Sequence, residues 1–342
     1  MDDGTGPDTR LAGLLRWPSG GFRLRWGVDA KGRSRWTRGR ILAALAVLTT
    51  ALLAFHSAVP NTVGRFGSLL ETFLPWLGLA VPLLLTLALL RRSALALLAL
   101  LLPVAAWGLL FGGRVTAGDG GAHDLTAVQH NVSDVNADPA GTARALSDAG
   151  PDLIALEELT PAALPAYEAS LRAQYPYRAV RGTVGLWSKH PLTEAGAVDI
   201  RPEGIGKDWN RGLRARARTP WGDVAVYVAH LPSVRVQWHG FSSGRRDESA
   251  GLLGAALDAE QLEKVILLGD LNATVDDRGL DPVTSRLDSA GEDNFAFSWP
   301  TTLPISRIDH IMTRAARVTQ IRPLPSTGSD HLPVAADIRF AP

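Results

Sequence analysis

Apolar positions fall along this chain in two different patterns. Three long apolar runs come first, at about 41–59, 69–90 and 94–112. After 124 the apolar stretches become short and are broken by turns. Each long run has about 18–22 residues, the length that crosses a bilayer as a helix. Pro75, Pro82 and Pro103 within them are tolerated in membrane helices. Glu71 lies near the end of a run, where it is expected to reach the membrane interface. The alternative, helices buried in a soluble core, is hard to reconcile with three such runs in succession.

Past 124, strands are expected near 125–129, 152–156, 184–188, 213–218, 223–229, 265–269, 308–312 and 333–339. Helical patterns fall near 139–149, 161–173 and 246–263. A hairpin-like turn, Thr219-Pro220-Trp221-Gly222, separates two of the strands. Strands mixed with helices and tight turns predict a mixed α/β sandwich rather than a purely parallel sheet. Residues 113–123 (GRVTAGDGGAH) read as a flexible tether between the two regions.

Charge orients this plan. Residues 1–40 carry nine Lys/Arg against four acids, and Arg91-Arg92 follow the second run. The loop 60–68 holds only Arg65. By the bias of basic residues toward the cytoplasm, the N-terminus is cytoplasmic and everything after about 113 lies outside the cytoplasm. The basic tail is expected to touch anionic lipid. Residues 115–342 carry 22 Lys/Arg against 29 Asp/Glu, a net charge of −7, which is unlike a non-specific nucleic-acid binder. In Arg211–Arg218, Arg214, Arg216 and Arg218 share one strand face, most simply a solvated edge. The chain has no Cys, which excludes disulfides and thiolate chemistry.

Candidate chemistry collects at strand ends. Val265-Ile266-Leu267-Leu268 reads as a buried strand ended by Gly269, with Asp270 and Asn272 leaving it side by side. Asn131 follows the strand near 125–129, and Glu157-Glu158 follow Leu153–Leu156. His230 follows Val224–Ala229, Asp309-His310 sit in another apolar strand, and Ser329-Asp330-His331 precede the last. Oxygen ligands without Cys suit Mg²⁺, Mn²⁺ or Ca²⁺ rather than zinc. Imidazoles beside carboxylates suit acid/base work and stabilisation of negative charge. The set reads as metal-assisted attack of water on a phosphate ester.

The order Asn131, Glu158, His230, Gly269-Asp270-Leu271-Asn272, Trp299-Pro300, Asp309-His310, Ser329-Asp330-His331 resembles the endonuclease/exonuclease/phosphatase (DNase I-like) superfamily over about 124–340. The resemblance implies a four-layer α/β sandwich over 124–342 and a Mg²⁺ cofactor, with Mn²⁺ an alternative. It implies Glu158 as principal metal ligand, with Asn131 near metal or phosphate and Asp330 a further ligand or a support. Asp270, helped by Asn272, would align or deprotonate the water. His331, oriented by Asp309, would contact and stabilise the phosphate or act as the acid, and His230 would be the second imidazole. Two positions depart from the family pattern. Glu157 stands where Gln is frequent, free to bind a second metal or face away, and Ser133 stands where some abasic-site enzymes have Asp.

The whole architecture resembles the VanJ-type teicoplanin-resistance membrane proteins. That implies a multi-pass membrane protein whose extracytoplasmic phosphoesterase hydrolyses a phosphate or pyrophosphate on a lipid carrier of the undecaprenyl pyrophosphate type, with glycopeptide resistance as the outcome. The expected partners are the bilayer and a phosphorylated lipid at its outer surface, with no dedicated nucleic-acid partner. A surface-tethered nuclease, a phospholipid phosphodiesterase and an inactive envelope scaffold are the alternatives. Trp209, Trp238, Phe241 and Trp299 are candidates to contact a lipid tail or base, or simply to pack.

Overall fold

The computed structural model describes residues 39–115, 121–289 and 294–341. The basic tail lies outside the described residues except for its last two positions. The apolar region forms α1 (Arg40–Ala54), α2 (Phe66–Thr72), α3 (Ala80–Leu90), α4 (Ala94–Ala99) and α5 (Leu101–Phe111). Helices α1, α3, α4 and α5 pack around Leu42, Ala46, Leu84, Ala88 and Ala96, and turn Leu83, Leu90, Leu101 and Leu109 outward.

The three expected spans are not all realised as such. Among the described residues, the helix over 94–111 is long and apolar enough to cross a membrane. Helix α1 stops after 15 residues, where the chain turns at Phe55 and His56. The run 69–90 is broken, with 66–72 and 74–90 meeting at a 71° bend. Pro75 opens the 3₁₀ stretch Leu74–Leu79 and cannot continue the helix before it, and the residue that anchors that helix is Glu71. It is 1% exposed rather than interfacial, because Arg278 donates to both of its oxygens at 2.7 and 2.8 Å. The His56 ring meets the same carboxylate at 2.9 Å, and Arg278 also donates to the Val59 and His56 carbonyls. A carboxylate this strongly held pins α2 to the globular region and leaves the apolar stretch after it to turn away.

The supposed tether is also held at its start. Residues Gly113–Val115 form a 3₁₀ turn, and Arg114 makes a two-pronged ion pair with Asp276 at 2.8 and 2.9 Å. Residues 116–120 lie outside the described residues.

The remainder is built on β1 (Leu125–Asn131), β2 (Leu153–Glu157), β3 (Tyr177–Arg181), β4 (Val184–Ser188), β5 (Leu192–Ala197), β6 (Gly212–Thr219) and β7 (Gly222–Ala229). These are followed by β8 (Val236–Gln237), β9 (Gly240–Phe241), β10 (Val265–Asp270), β11 (Asp288–Ser289), β12 (Asp309–Arg314), β13 (Ala316–Pro323) and β14 (Val334–Phe340). One sheet runs β13-β14-β1-β2-β4-β3 and the other β11-β12-β10-β7-β6-β5. Both are mixed: β1 is parallel to β2 and antiparallel to β14, while β10 is parallel to β7 and antiparallel to β12.

Strand alternation sorts the side chains into layers. Leu125, Ala127, Leu153, Ala155, Val226, Val228, Ile266 and Leu268 fill the space between the sheets. On the outside of the first sheet, Val128, Ile154 and Leu156 meet α6 (Pro139–Asp148) and α7 (Leu164–Leu171). On the outside of the second, Ala225, Val265 and Leu267 meet α8 (Gly244–Asp258) and α9 (Asp281–Thr284). This is the expected α/β sandwich with two sheets face to face. Gly269 does not end its strand; the ladder continues to Asp270↔Asp309. What Gly269 permits is close approach, since a Cβ there would lie 1.9 Å from the Ala229 carbonyl oxygen.

The contact between α2 and the sandwich is testable. Glu71→Ala leaves Arg278 facing two carbonyls without its anion. The expected loss is about 3 kcal/mol, the low end for breaking a buried pair, because the guanidinium keeps some solvent contact. Thermal unfolding of the detergent-solubilised protein should show a midpoint lower by about 6 °C or more. A midpoint within about 2 °C of wild type would refute the role given to this pair.

Candidate active site

The parallel pairs β1–β2 and β7–β10 all end on the same side of the sandwich, so their C-terminal ends bring polar residues of both sheets together. Asn131 ends β1 and donates through Nδ2 to Asp270 Oδ2 at 3.0 Å, while its Oδ1 accepts from the Ser133 N–H. Asp270 Oδ1 accepts from the Asn272 backbone N–H at 2.9 Å. Asn272 has φ 50°, so strand alternation does not carry past Asp270 and the two side chains are not simply parallel. The Asn272 amide donates to the Leu231 carbonyl at 2.9 Å, which closes the turn over the end of β7. Glu158 also takes a left-handed φ, 60°, which lifts its carboxylate off the end of β2.

Deeper in, Asp309 is fully buried and held by three donors. Ser298 Oγ donates to Oδ2, Gln129 Nε2 donates to Oδ1 at 3.0 Å, and His331 Nδ1 donates to Oδ2 at 2.9 Å. His331 Nε2 then faces Asp270 Oδ2 at 3.8 Å. His230, also buried, lies 3.6 Å from Asp270 Oδ2 and 3.8 Å from Glu158 Oε1.

The charge states follow from this crowding. Burial works against the His331 cation, but the carboxylates of Asp309 and Asp270 prevail and raise its pKa to about 10. Burial raises the Asp270 carboxyl, with Asp309 adding and His331 opposing, to about 7. Asp309 is lowered: burial is overridden by the His331 charge and by hydrogen bonds from His331, Ser298 and Gln129. Burial, reinforced by the Arg211 and His331 charges, keeps His230 neutral.

Sequence reasoning named Asn131, Glu158, His230, Asp270, Asn272, Asp309 and His331, and the structure assembles all seven. Asp330 is exposed at the mouth of the cavity, with its backbone carbonyl accepting from Thr301 N–H. His310 turns away to the Ala273 carbonyl at 2.8 Å. Glu157 does not reach the cavity. It points between the sheets, accepts from Gln129, and is held protonated by burial and by the Asp309 and Asp270 charges.

Two participants were missed. Gln129 bridges Glu157 and Asp309. Arg211 donates to the His230 ring at 3.2 Å, and its guanidinium lies over the Trp209 ring, 5.3 Å from the centroid. The hairpin turn at 219–222 sets the register Gly212↔Ala229, and the His230 N–H donates to the Arg211 carbonyl. Counting back from the turn would have found this arginine. Arg214 pairs with Glu260 and Glu194 and Arg216 with Glu194 and Asp223, on β6, an inner strand rather than the expected edge.

The ligand atoms of Asp270, Asp309 and His331 lie within 4.8 Å of one another and could hold a metal. Three donors already occupy Asp309, so the freer oxygens are those of Asp270 and the partly exposed Glu158. This hard-oxygen set fits a divalent cation, which would relieve the buried, proton-retaining Asp270. The surrounding cavity is about 1070 Å³. It is lined by Asn131, Glu158, Asp270, Asn272 and His331, by apolar Phe73, Val135, Val236, Phe241, Trp299 and Ile308, and by the charged Asp134, Arg235 and Asp330.

A model of the Endonuclease/Exonuclease/phosphatase family matches residues 120–331. No curated protein sequence matches. Among solved structures the chain is similar to the mannosyl-6-phosphatase Bt3783 of Bacteroides thetaiotaomicron VPI-5482, at 18% identity and TM-score 0.52, over 64% of this chain and 100% of that one. It is similar to a functionally unknown conserved protein of Enterococcus faecalis V583, at 16% identity and TM-score 0.52, over 63% and 100%. It is also similar to the human Nocturnin catalytic domain with bound sulfate, at 15% identity and TM-score 0.50, over 64% and 94%. At these identities the likenesses show the fold.

The His331–Asp309 pair makes a signed prediction. A histidine raised from 6.5 to about 10 on folding stabilises the protein fully below 6.5, and that contribution is lost as pH rises through about 10. In Asp309→Asn the imidazole should titrate well below 10 by NMR, and the decline in stability over this window should shrink. An unshifted titration would show that Asp309 does not hold the charge.

Proposed function

The chain belongs to the endonuclease/exonuclease/phosphatase family, and from that premise we propose that it is a membrane-anchored, metal-dependent phosphoesterase. Its substrate is a phosphate or pyrophosphate on a membrane lipid carrier of the undecaprenyl pyrophosphate type. The observation that carries this reading is the composition of the cavity wall. Thr72 and Phe73, from the apolar helical region, line the same cavity as Glu158, Asp270 and His331. The helical region thus supplies part of the wall that a substrate meets.

Those helices suit a bilayer. Leu79, Leu83, Leu90, Leu101 and Leu109 are 60–88% exposed, an apolar surface that water does not favour. Trp238, 97% exposed, sits on the β8–β9 hairpin, whose Phe241 N–H donates to the Gly64 carbonyl of the helical region. An exposed indole beside apolar helices suits the membrane–water interface. The helix over 94–111 would be the anchor, with the catalytic domain on the extracytoplasmic side. The net charge of −7 over 115–342 counts against a nuclease.

Glu158, with Asn131 beside it, would hold Mg²⁺ next to Asp270. When bound, the metal supplies charge neutralisation at the phosphoryl oxygens. Asp270, fixed by Asn131 and Asn272, orients the attacking water and takes its proton. His331, kept cationic by Asp309, donates toward the phosphoryl oxygen on which charge develops. Neutral His230 and Asn272 complete the polar lining. Arg211 adds a fixed positive charge behind His230.

The test is phosphate release by detergent-solubilised full-length protein with Mg²⁺, comparing undecaprenyl pyrophosphate with double- and single-stranded DNA. Release from the lipid is expected, with Asp270→Ala slower by about 10²–10⁴-fold and His331→Ala by about 10²–10³-fold. Glu158→Ala serves as the blank. Wild type, but not Glu158→Ala, should then raise teicoplanin tolerance when expressed. DNA cleavage without lipid turnover would replace this reading with a tethered nuclease, and no turnover of either would leave a scaffold.

A further inference from the structure

A second cavity lies beside the first. It measures about 430 Å³ and its lining is almost wholly apolar. Trp76, Leu79, Val104 and Trp107 form it from the helical region, and Phe295 and Phe297 close it from the sandwich. The two indole N–H groups point out of it: Trp76 donates to the Ile305 carbonyl and Trp107 to the Pro75 carbonyl, both at 2.7 Å. Their ring faces are left to the cavity. Trp76 stacks on Phe297 at 5.6 Å between centroids, and Phe295 and Phe297 lie 5.1 Å apart, so the wall is pre-formed.

One short segment lines both cavities. Thr72 and Phe73 face the catalytic cavity, and Pro75 and Trp76 face the apolar one. Ser306 and Ile308 line the catalytic cavity, while the Ile305 carbonyl holds Trp76. Helices α3 and α5, which carry Leu83 and Val104 at or beside the opening, present exposed apolar side chains outward.

We propose that the apolar cavity between Trp76, Trp107, Phe295 and Phe297 binds the hydrocarbon chain of a phosphorylated membrane lipid whose phosphate occupies the catalytic cavity. This rests on the phosphoesterase reading above. The occupant is a chain rather than a peptide because the lining offers no hydrogen-bond partner for a backbone. It belongs to the substrate rather than to a bystander lipid because the same segment lines both cavities.

The experiment uses full-length protein in detergent with Mg²⁺ and a series of prenyl diphosphates, from isopentenyl to geranylgeranyl. Phosphate release should rise in kcat/KM with chain length in wild type. Val104→Trp and Leu79→Trp place bulk into the cavity from two separate, half-exposed positions. Each should reduce the ratio of geranylgeranyl to isopentenyl kcat/KM at least tenfold. Turnover of the short diphosphate reports that each variant is folded. A ratio unchanged in both variants would overturn the chain site and leave the phosphoesterase reading standing. No turnover of any diphosphate by wild type would instead overturn the phosphoesterase reading and the chain site with it.

Discussion

A carboxylate taken out of water costs several kcal/mol unless something of opposite charge meets it. Glu71 is almost fully buried, and Arg278 meets it with two hydrogen bonds. Much of the architecture depends on this pair. It holds α2 against the sandwich and sets Thr72 and Phe73 into the wall of the catalytic cavity, while Pro75 ends the helix just beyond. Other contacts support it, Trp76 on the Ile305 carbonyl and Phe241 on the Gly64 carbonyl among them. With these, and with Arg114 on Asp276, the apolar third and the sandwich share a surface.

Charge compensation also organises the catalytic centre, with a different result. Glu157, Asp270 and Asp309 crowd together with a single imidazolium, His331, among them. The protein resolves the excess by rank. Asp309 has three donors and stays ionised, Glu157 keeps its proton, and Asp270 lies between at about 7. The group left undecided is the one best placed to accept a proton from water. Such divergence of neighbouring carboxyls is how one site acquires distinct acid and base roles.

The sequence made the strand ends readable because each is a short apolar run followed by a polar side chain. It did not reveal β3, β5 and β13, and all three are edge strands. β3 and β5 are largely solvated, as in the half-exposed Leu192–Ala197, and a bulge between Val318 and Gln320 breaks the alternation of β13. Glu71 was misplaced for a related reason. An acid in an apolar run reads as snorkelling to an interface unless its partner is known, and Arg278 is 207 residues away. Arg211 was local enough to find, since a two-residue turn fixes a register. Gln129 was not, because its role exists only where both sheets face each other.

The net charge sets a limit on how a phosphorylated substrate is captured. An acidic domain repels an anion at long range, and screening confines that effect to about 8–10 Å. Nearer in, His331 and Arg211 attract, but they also neutralise the site's own carboxylates. Phosphate alone is therefore a weak handle. A hydrocarbon chain is a strong one: each buried CH₂ contributes about 0.8 kcal/mol, so roughly five contribute about 4 kcal/mol. That is enough to offset appreciable charge repulsion while leaving the phosphate loosely held before the reaction. Binding through the chain and chemistry at the phosphate then involve different residues. Interactions that strengthen only as charge develops are free to act on rate rather than on affinity.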